Sequence, residues 1–285
     1  MKNFKLGVIL ESFKLPLDEA LAAAKKIGAD GVQIFANDTG FAPVDTMTES
    51  DKRALMSKLD ANGLAISALC ADFGHGFGNR ELNPALIERS KRALLLAKEL
   101  GTDIVTTHIG VVPSSQNHER YKIMQEACSE LAQYADSIGS RFAVETGPET
   151  ALTLKGFLDS LGSRGVSVNL DPANFVMVTG DDPVKAVYTL RDYIIHTHAK
   201  DGIKLMDCDP EVVYQITHPK EGSGWEDVET FREVPLGEGS VAFKEYLAAL
   251  TNIGYNGYLT IEREVGATPA RDIEIAASFL KEIDA

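Results

Sequence analysis

Four short segments carry an acid or an imidazole at the carboxyl end of an apolar run: VETG at 144–147, NLDPAN at 169–174, HTHAKD at 196–201 and TIERE at 260–264. Within them, Glu145, Asp171, His198 and Glu262 are the candidate metal ligands. Three carboxylates and one imidazole form a hard, oxygen-rich donor set that suits Mn²⁺, Mg²⁺ or Co²⁺ and leaves Zn²⁺ open. Gathered without a cation, the carboxylates would repel one another and some would have to take up protons. One divalent ion, with Mn²⁺ the first choice, is therefore the expected cofactor. Each residue alone has an ordinary explanation, because an acid at a strand end commonly caps the next helix or pairs with a lysine. Recurrence at four successive strand ends is what points to a metal.

Such residues need strands whose ends meet. Extended candidates recur at 5–10, 31–36, 65–72, 103–110, 141–147, 166–171, 193–201 and 258–264, and helical apolar spacing fills the intervals between and after them. Eight alternations of strand and helix argue for parallel strands and a closed (β/α)₈ TIM barrel of the α/β class, with an open doubly wound sheet as the other arrangement. Helices stop at Asn-Gly or Ile-Gly pairs, and Asp18, Asn83 and Asp182, each near a proline, read as start signals. Alternate residues of a barrel strand face inward. Glu145 shares parity with Ala143, Asp171 with Asn169, His198 with His196 and Glu262 with Thr260, so the four ligands would converge from strands five to eight.

Other residues near these ends have weaker claims. His108, closing the fourth strand, is expected to touch substrate rather than metal, and His75 lies in a glycine-rich loop, FGHGFG, that reads as a flap or a turn. Lys200 could hold a substrate oxygen or pair with an acid. His196 lies deeper on the face of His198 and reads as a packed residue or one that supports a ligand. Residues 202–242 have no clear period and read as a loop insertion over the mouth, with His218 and Trp225 to contact a ligand, or as an oligomer contact. His118 and the acidic run from Glu226 to Glu233 read as solvated surface.

The 285 residues, 44% of them hydrophobic, are enough for one barrel domain over 1–285. No apolar run approaches the roughly 18–20 residues of a membrane span, and the amino terminus lacks a secretory apolar stretch, so a soluble cytoplasmic protein is expected. Cys70, Cys128 and Cys208 form no paired motif and read as buried, reduced thiols. A formal net charge of −14 argues against nucleic acid as a partner. A small-molecule sugar, no membrane and a homo-oligomer such as a dimer or tetramer complete the expected partners.

With these segments in order, the chain resembles the sugar phosphate isomerase/epimerase group of xylose-isomerase-like TIM barrels, which includes ketose 3-epimerases and inosose dehydratase. The resemblance spans nearly the whole chain and is carried by Glu145, Asp171 of DPAN, His198 of the HxHxKD string, PLGEG at 235–239 and Glu262 of IEREVG. It implies that Glu145, Asp171, His198 and Glu262 hold the metal. Two positions depart from the pattern: Gln33 stands where many relatives carry an acid, and Asn174 where a histidine is common. Asn174 can still bond a sugar hydroxyl but cannot titrate near neutral pH.

The activity implied is metal-dependent isomerisation or epimerisation of a keto sugar or related polyol through a stabilised enediolate, with Glu145 and Glu262 as acid and base. A dehydratase that expels a β-hydroxyl, or a non-catalytic sugar-binding barrel, are the alternatives. A phosphodiesterase resembling endonuclease IV is disfavoured by the six histidines and the negative charge. No phosphate-cradling motif is evident, and substrate choice falls to the loops at 37–46, 73–80, 111–117 and 202–242.

Overall fold

The structure, a computed structural model, describes residues 1–214 and 228–284. Its centre is a closed parallel barrel of strands β1 (Lys5–Ile9), β2 (Gly31–Phe35), β3 (Ala65–Cys70), β4 (Ile104–Thr107), β5 (Arg141–Glu145), β6 (Val166–Leu170), β7 (Ile194–Ala199) and β10 (Tyr258–Ile261). Closure comes from β1 pairing with β10, where Gly7 faces Thr260 and Val8 faces Ile261. Most barrel positions are buried, as expected of strands covered on one side by helices and filled on the other by side chains.

The helices that follow the first six strands are α1 (Leu17–Lys26), α2 (Glu49–Asn62), α3 (Asn83–Glu99), α4 (Glu119–Ser137), α5 (Ala151–Leu161) and α6 (Pro172–Asn174). α7 (Pro183–Leu190), α8 (Pro210–Val213), α9 (Phe243–Asn252) and α10 (Pro269–Ile283) complete the shell. Apolar residues at three- and four-residue spacing put one stripe of each long helix on the barrel, as with Met124, Cys128, Leu131 and Ala135 of α4. Glycines end several of them in the left-handed conformation, at Gly28, Gly63, Gly139 and Gly254. Asp182 caps α7, accepting from Val184 and Lys185 N–H. The other two start signals are corrected: Pro16 precedes α1 and leaves Asp18 in its first turn, while Asn83 is buried and donates to the Phe77 carbonyl instead of capping α3.

The insertion expected to lack regular structure contains an antiparallel pair, β8 (Asp201–Lys204) with β9 (Phe231–Val234). Asp201 organises it. Its carboxylate accepts N–H groups from Gly202, Gly237, Gly239 and Val241 at 2.9–3.1 Å, so HxHxKD and PLGEG meet at one buried side chain. Gly239 must be a glycine, because a Cβ there would stand 2.1 Å from the Asp201 carboxylate. Two bulges adjust the mouth: pairing shifts between Val32 and Gln33 on β2, and between Val168 and Asn169 on β6. Bulges commonly re-aim side chains beside functional sites.

Candidate metal centre

Glu145 ends β5, Asp171 follows β6, His198 lies in β7 and Glu262 follows β10, so adjacent strand ends deliver all four groups. Each offers one ligand atom, and the four atoms lie within 4.8 Å of one another. His198 Nδ1 is 3.1 Å from Glu262 Oε2, 3.5 Å from Asp171 Oδ2 and 3.6 Å from Glu145 Oε2. Nδ1 of His198, Oδ2 of Asp171 and Oε2 of Glu262 are buried, and none has a hydrogen-bond partner among the described residues. Buried polar atoms are usually hydrogen-bonded, and these three, whose short contacts are to one another, to Glu145 Oε2 and, for Glu262 Oε2, to Lys200 Nζ at 3.2 Å, fit a cation between them. The donor set, three carboxylate oxygens and one nitrogen, suits a hard divalent ion.

Asp171 serves two ends. Its Oδ1 accepts from Asn174 N–H at 3.0 Å, capping the short α6, and its Oδ2 is left for the site. The capping explanation and the ligand explanation therefore both hold for the same carboxylate.

The imidazole is oriented from behind. His198 Nε2 lies 3.2 Å from Gln33 Oε1 and 3.1 Å from Asn169 Nδ2. A metal on Nδ1 requires Nε2 to carry the proton, and Gln33 Oε1 is the acceptor for it. Gln33 thus holds the ring as a carboxylate would, without adding charge. Beneath it, His196 bonds Asn169 Oδ1 at 2.9 Å and Thr260 Oγ1 at 3.1 Å. Burial, with the neighbouring His198 charge, pulls His196 down to about 3, so it stays neutral and supports the ligands.

Charge in the mouth is arranged to attract cations. Burial alone would pull the His198 imidazole down, but Glu262 and Glu145 hold it well above its ordinary range. Burial would raise the Glu145 carboxyl, yet the charges of His108 and His198 hold it well below. Glu145 also accepts from Asn174 Nδ2 at 3.0 Å and Asn169 Nδ2 at 3.3 Å. Gly147 permits the first bond: at φ +131 it packs where a Cβ would stand 2.2 Å from that of Asn174.

The other candidates fall at different distances. His108 sits at the rim, with Nδ1 2.9 Å from Asp72 and Nε2 3.5 Å from Glu145. Lys200 is buried and tied to acids, 2.6 Å from Glu264, 3.2 Å from Glu262 and 3.9 Å from Glu233. His75 is exposed on the loop after β3 and lines a neighbouring cavity. His218, Trp225 and Glu226 lie outside the described residues. Glu233 corrects an expectation: it is buried, 2.7 Å from Arg263, which also bonds Asp272, because these pairs lock the β8–β9 hairpin to the segment after β10. His118 is exposed, as expected, and caps α4. Cys128 is fully buried, but Cys70 and Cys208 are only partly so; none is in a disulfide.

Three groups near the site were not anticipated. Asp72 follows β3 and pairs with His108; the rule that found the ligands, an acid after an apolar run, would have found it too. Tyr214, carried by the turn of α8, places its ring 6.2 Å from that of His108. Glu149 is buried and accepts Val112 N–H at 3.1 Å, and burial raises it to about 8. Among the described residues, no helix is long and apolar enough to cross a membrane.

A closed parallel barrel with an acid-and-imidazole cluster at its carboxyl-end mouth defines the class: (β/α)₈ proteins built around a candidate divalent-metal centre. The chain belongs to the xylose isomerase-like TIM barrel family, whose pattern matches residues 21–283. A Haemophilus influenzae protein named provisionally as an L-ribulose-5-phosphate 3-epimerase is 23% identical over 279 residues, 92% of this chain and 89% of that one. An inosose dehydratase of Lacticaseibacillus casei is 26% identical over 140 residues, 49% of this chain and 44% of its own. Among solved structures, a xylose isomerase domain protein from Planctomyces limnophilus superposes with a TM-score of 0.78 at 24% identity, covering 99% of this chain and 97% of the other.

Proposed function

We infer that the protein is an enzyme that moves a proton within a keto sugar or a related polyol, as an epimerase or isomerase dependent on one divalent ion. The observation that carries this reading is the convergence of three buried ligand atoms that make no hydrogen bond among the described residues, beside a fourth carboxylate. Relatives named as a 3-epimerase and as a dehydratase support the same reading, since removal of a proton beside a carbonyl opens a route to both inversion and water loss. Glu145, Asp171, His198 and Glu262 would hold the ion, with Mn²⁺ the first choice. When bound, it supplies Lewis-acid polarisation of the substrate carbonyl and offsets developing negative charge.

Glu145 and Glu262 belong to strand ends separated by β6 and β7 and flank the site. One carboxylate takes the proton from the carbon next to the carbonyl. The other, protonated, returns a proton to the opposite face and inverts that centre, whereas return at the neighbouring carbon isomerises. In the metal-free site Glu145 is held ionised by the charges of His108 and His198. Lys200 Nζ lies 3.2 Å from Glu262 Oε2. His108 and Asn174, each within 3.5 Å of the Glu145 carboxylate, would hold sugar hydroxyls beside it.

The test is solvent deuterium incorporation across a panel of keto sugars with Mn²⁺ supplied. Glu145→Gln and Glu262→Gln should each lower incorporation by about 10²–10⁴-fold, the usual worth of a positioned acid or base, while retaining measurable metal. Near-normal rates in both variants would sink the mechanism. Product mass separates inversion from water loss, the outcome that the inosose dehydratase similarity keeps in view.

A further inference from the structure

The barrel mouth opens into two cavities that share Asp72, Gly74 and His108. The one that contains Glu145, His198 and Glu262 has a volume of about 440 Å³. The other extends over the loop after β3 and the start of α4 and has a volume of about 880 Å³. Sites for drug-sized ligands run to roughly 300–1,000 Å³. A single sugar ring is accommodated by the first cavity, and the second, twice as large, adjoins it.

The second cavity has two kinds of wall. Leu82, Ile123, Pro148 and Tyr214 give it an apolar and aromatic side, and Leu82 is left 43% exposed there. Asn79, Arg80, Glu81 and Arg120 give it planar hydrogen-bonding groups. Arg120 Nε is a buried donor with no partner among the described residues. A pyranose ring has this same division, with C–H faces that pack on apolar surface and hydroxyls at its rim that bond amides, carboxylates and guanidinium groups.

Charge decides against a phosphate. Both arginines already face a carboxylate, Arg80 with Glu126 at 2.7 Å and Arg120 with Glu211. Asp72 and Glu81 add negative charge to the same lining. Among the described residues no cation of the lining is left in surplus for a phosphate dianion, whose recognition ordinarily takes arginines free to bind it in a fork.

We propose that the substrate is a glycoside, its keto ring bound over the metal ligands and a second, uncharged sugar unit seated between Leu82, Ile123 and Tyr214 on one side and Asn79, Glu81 and Arg120 on the other. This inference rests on the reading of the mouth as a keto-sugar site. Three probes test it on the full-length protein loaded with Mn²⁺: a keto hexose, its phosphate monoester, and a disaccharide carrying the same keto ring. Deuterium exchange gives kcat/KM for each, and calorimetry gives affinities independently of turnover.

The disaccharide should exceed both other probes by at least about tenfold, or 1.4 kcal/mol. Leu82→Asp, at an exposed position that tolerates charge, and Ile123→Phe, which fills the cavity, should each reduce the disaccharide-to-hexose ratio by about as much. Exchange with the hexose or its phosphate equal to or better than with the disaccharide overturns the inference and leaves proton transfer standing. Tighter calorimetric binding of the disaccharide with no exchange on any probe supports the second subsite and removes the proposed reaction. Equal affinities together with no exchange overturn both.

Discussion

His198 concentrates the chemistry of the site in one ring: Nδ1 faces three carboxylates and Nε2 faces Gln33. Gln33→Leu removes the acceptor for Nε2–H and should weaken Mn²⁺ binding by about 10–100-fold, the usual effect of losing a group that orients a ligand. Equilibrium dialysis with a folded control reads it, and unchanged affinity would show that Gln33 does not orient the ring. Proton and metal also compete for Nδ1. The neighbouring carboxylates hold the imidazole proton well above its ordinary range, so binding the ion must release that proton near neutral pH. Mn²⁺ affinity should therefore fall as pH drops from 8 to 6, and a flat profile would argue that another atom is the ligand. At this scale the ligands were legible because each ends an apolar run with the right parity. Tyr214 was not, since its place depends on a turn with no periodic signal, and Glu233 looked solvated because its burial comes from partners distant in sequence.

At the level of elements, loops do the positioning and glycines set how closely they approach. The segment after β5 meets α6 at Gly147, where the backbone is in a conformation closed to most side chains and a Cβ has no room. Gly147→Ala should destabilise the fold by about 2–3 kcal/mol through strain and overpacking and draw Asn174 from Glu145; a denaturant midpoint equal to the parent would refute the close approach. The same loop carries Glu149, whose ordinary value is 4.5 and which burial raises to about 8. Below the ordinary value both folded and unfolded chains hold the proton. As pH climbs toward 8 the unfolded chain loses it and the folded chain keeps it, so folding is disfavoured progressively. Glu149→Gln retains an acceptor for Val112 N–H without that liability, and should gain at least about 1 kcal/mol over the parent between pH 5 and pH 8. Denaturant midpoints at the two pH values check it, and a gap that narrows with pH would contradict the burial argument. The eight barrel strands were legible as apolar runs bounded by turns. The β8–β9 hairpin was not, because Asp201 and the PLGEG amides hold it together more than any apolar alternation does.

Across the whole molecule, the ligands come from β5, β6, β7 and β10, which lie side by side in half of the barrel wall. Without the ion, the charges of His198 and Lys200 offset part of the repulsion among these carboxylates; a bound cation shared by all four groups ties the four strand ends together. The barrel should thus fold without metal, on the strength of its apolar interior, but be measurably stiffer with it. Mn²⁺ at one hundred times its Kd stabilises the folded state by about 2.7 kcal/mol if the unfolded chain binds none. For a chain of this size that corresponds to a rise in Tm of roughly 4–5 °C. Asp171→Asn and His198→Ala should each reduce the rise, and a chelator should reverse it in the parent. The shift should track the concentration of a hard ion such as Mn²⁺ and not that of sodium chloride, because surface charge is screened by salt whereas a buried donor set is not. If Mn²⁺ left Tm unchanged in the parent, or raised it equally in the two ligand variants, the four strand ends would not form a metal centre.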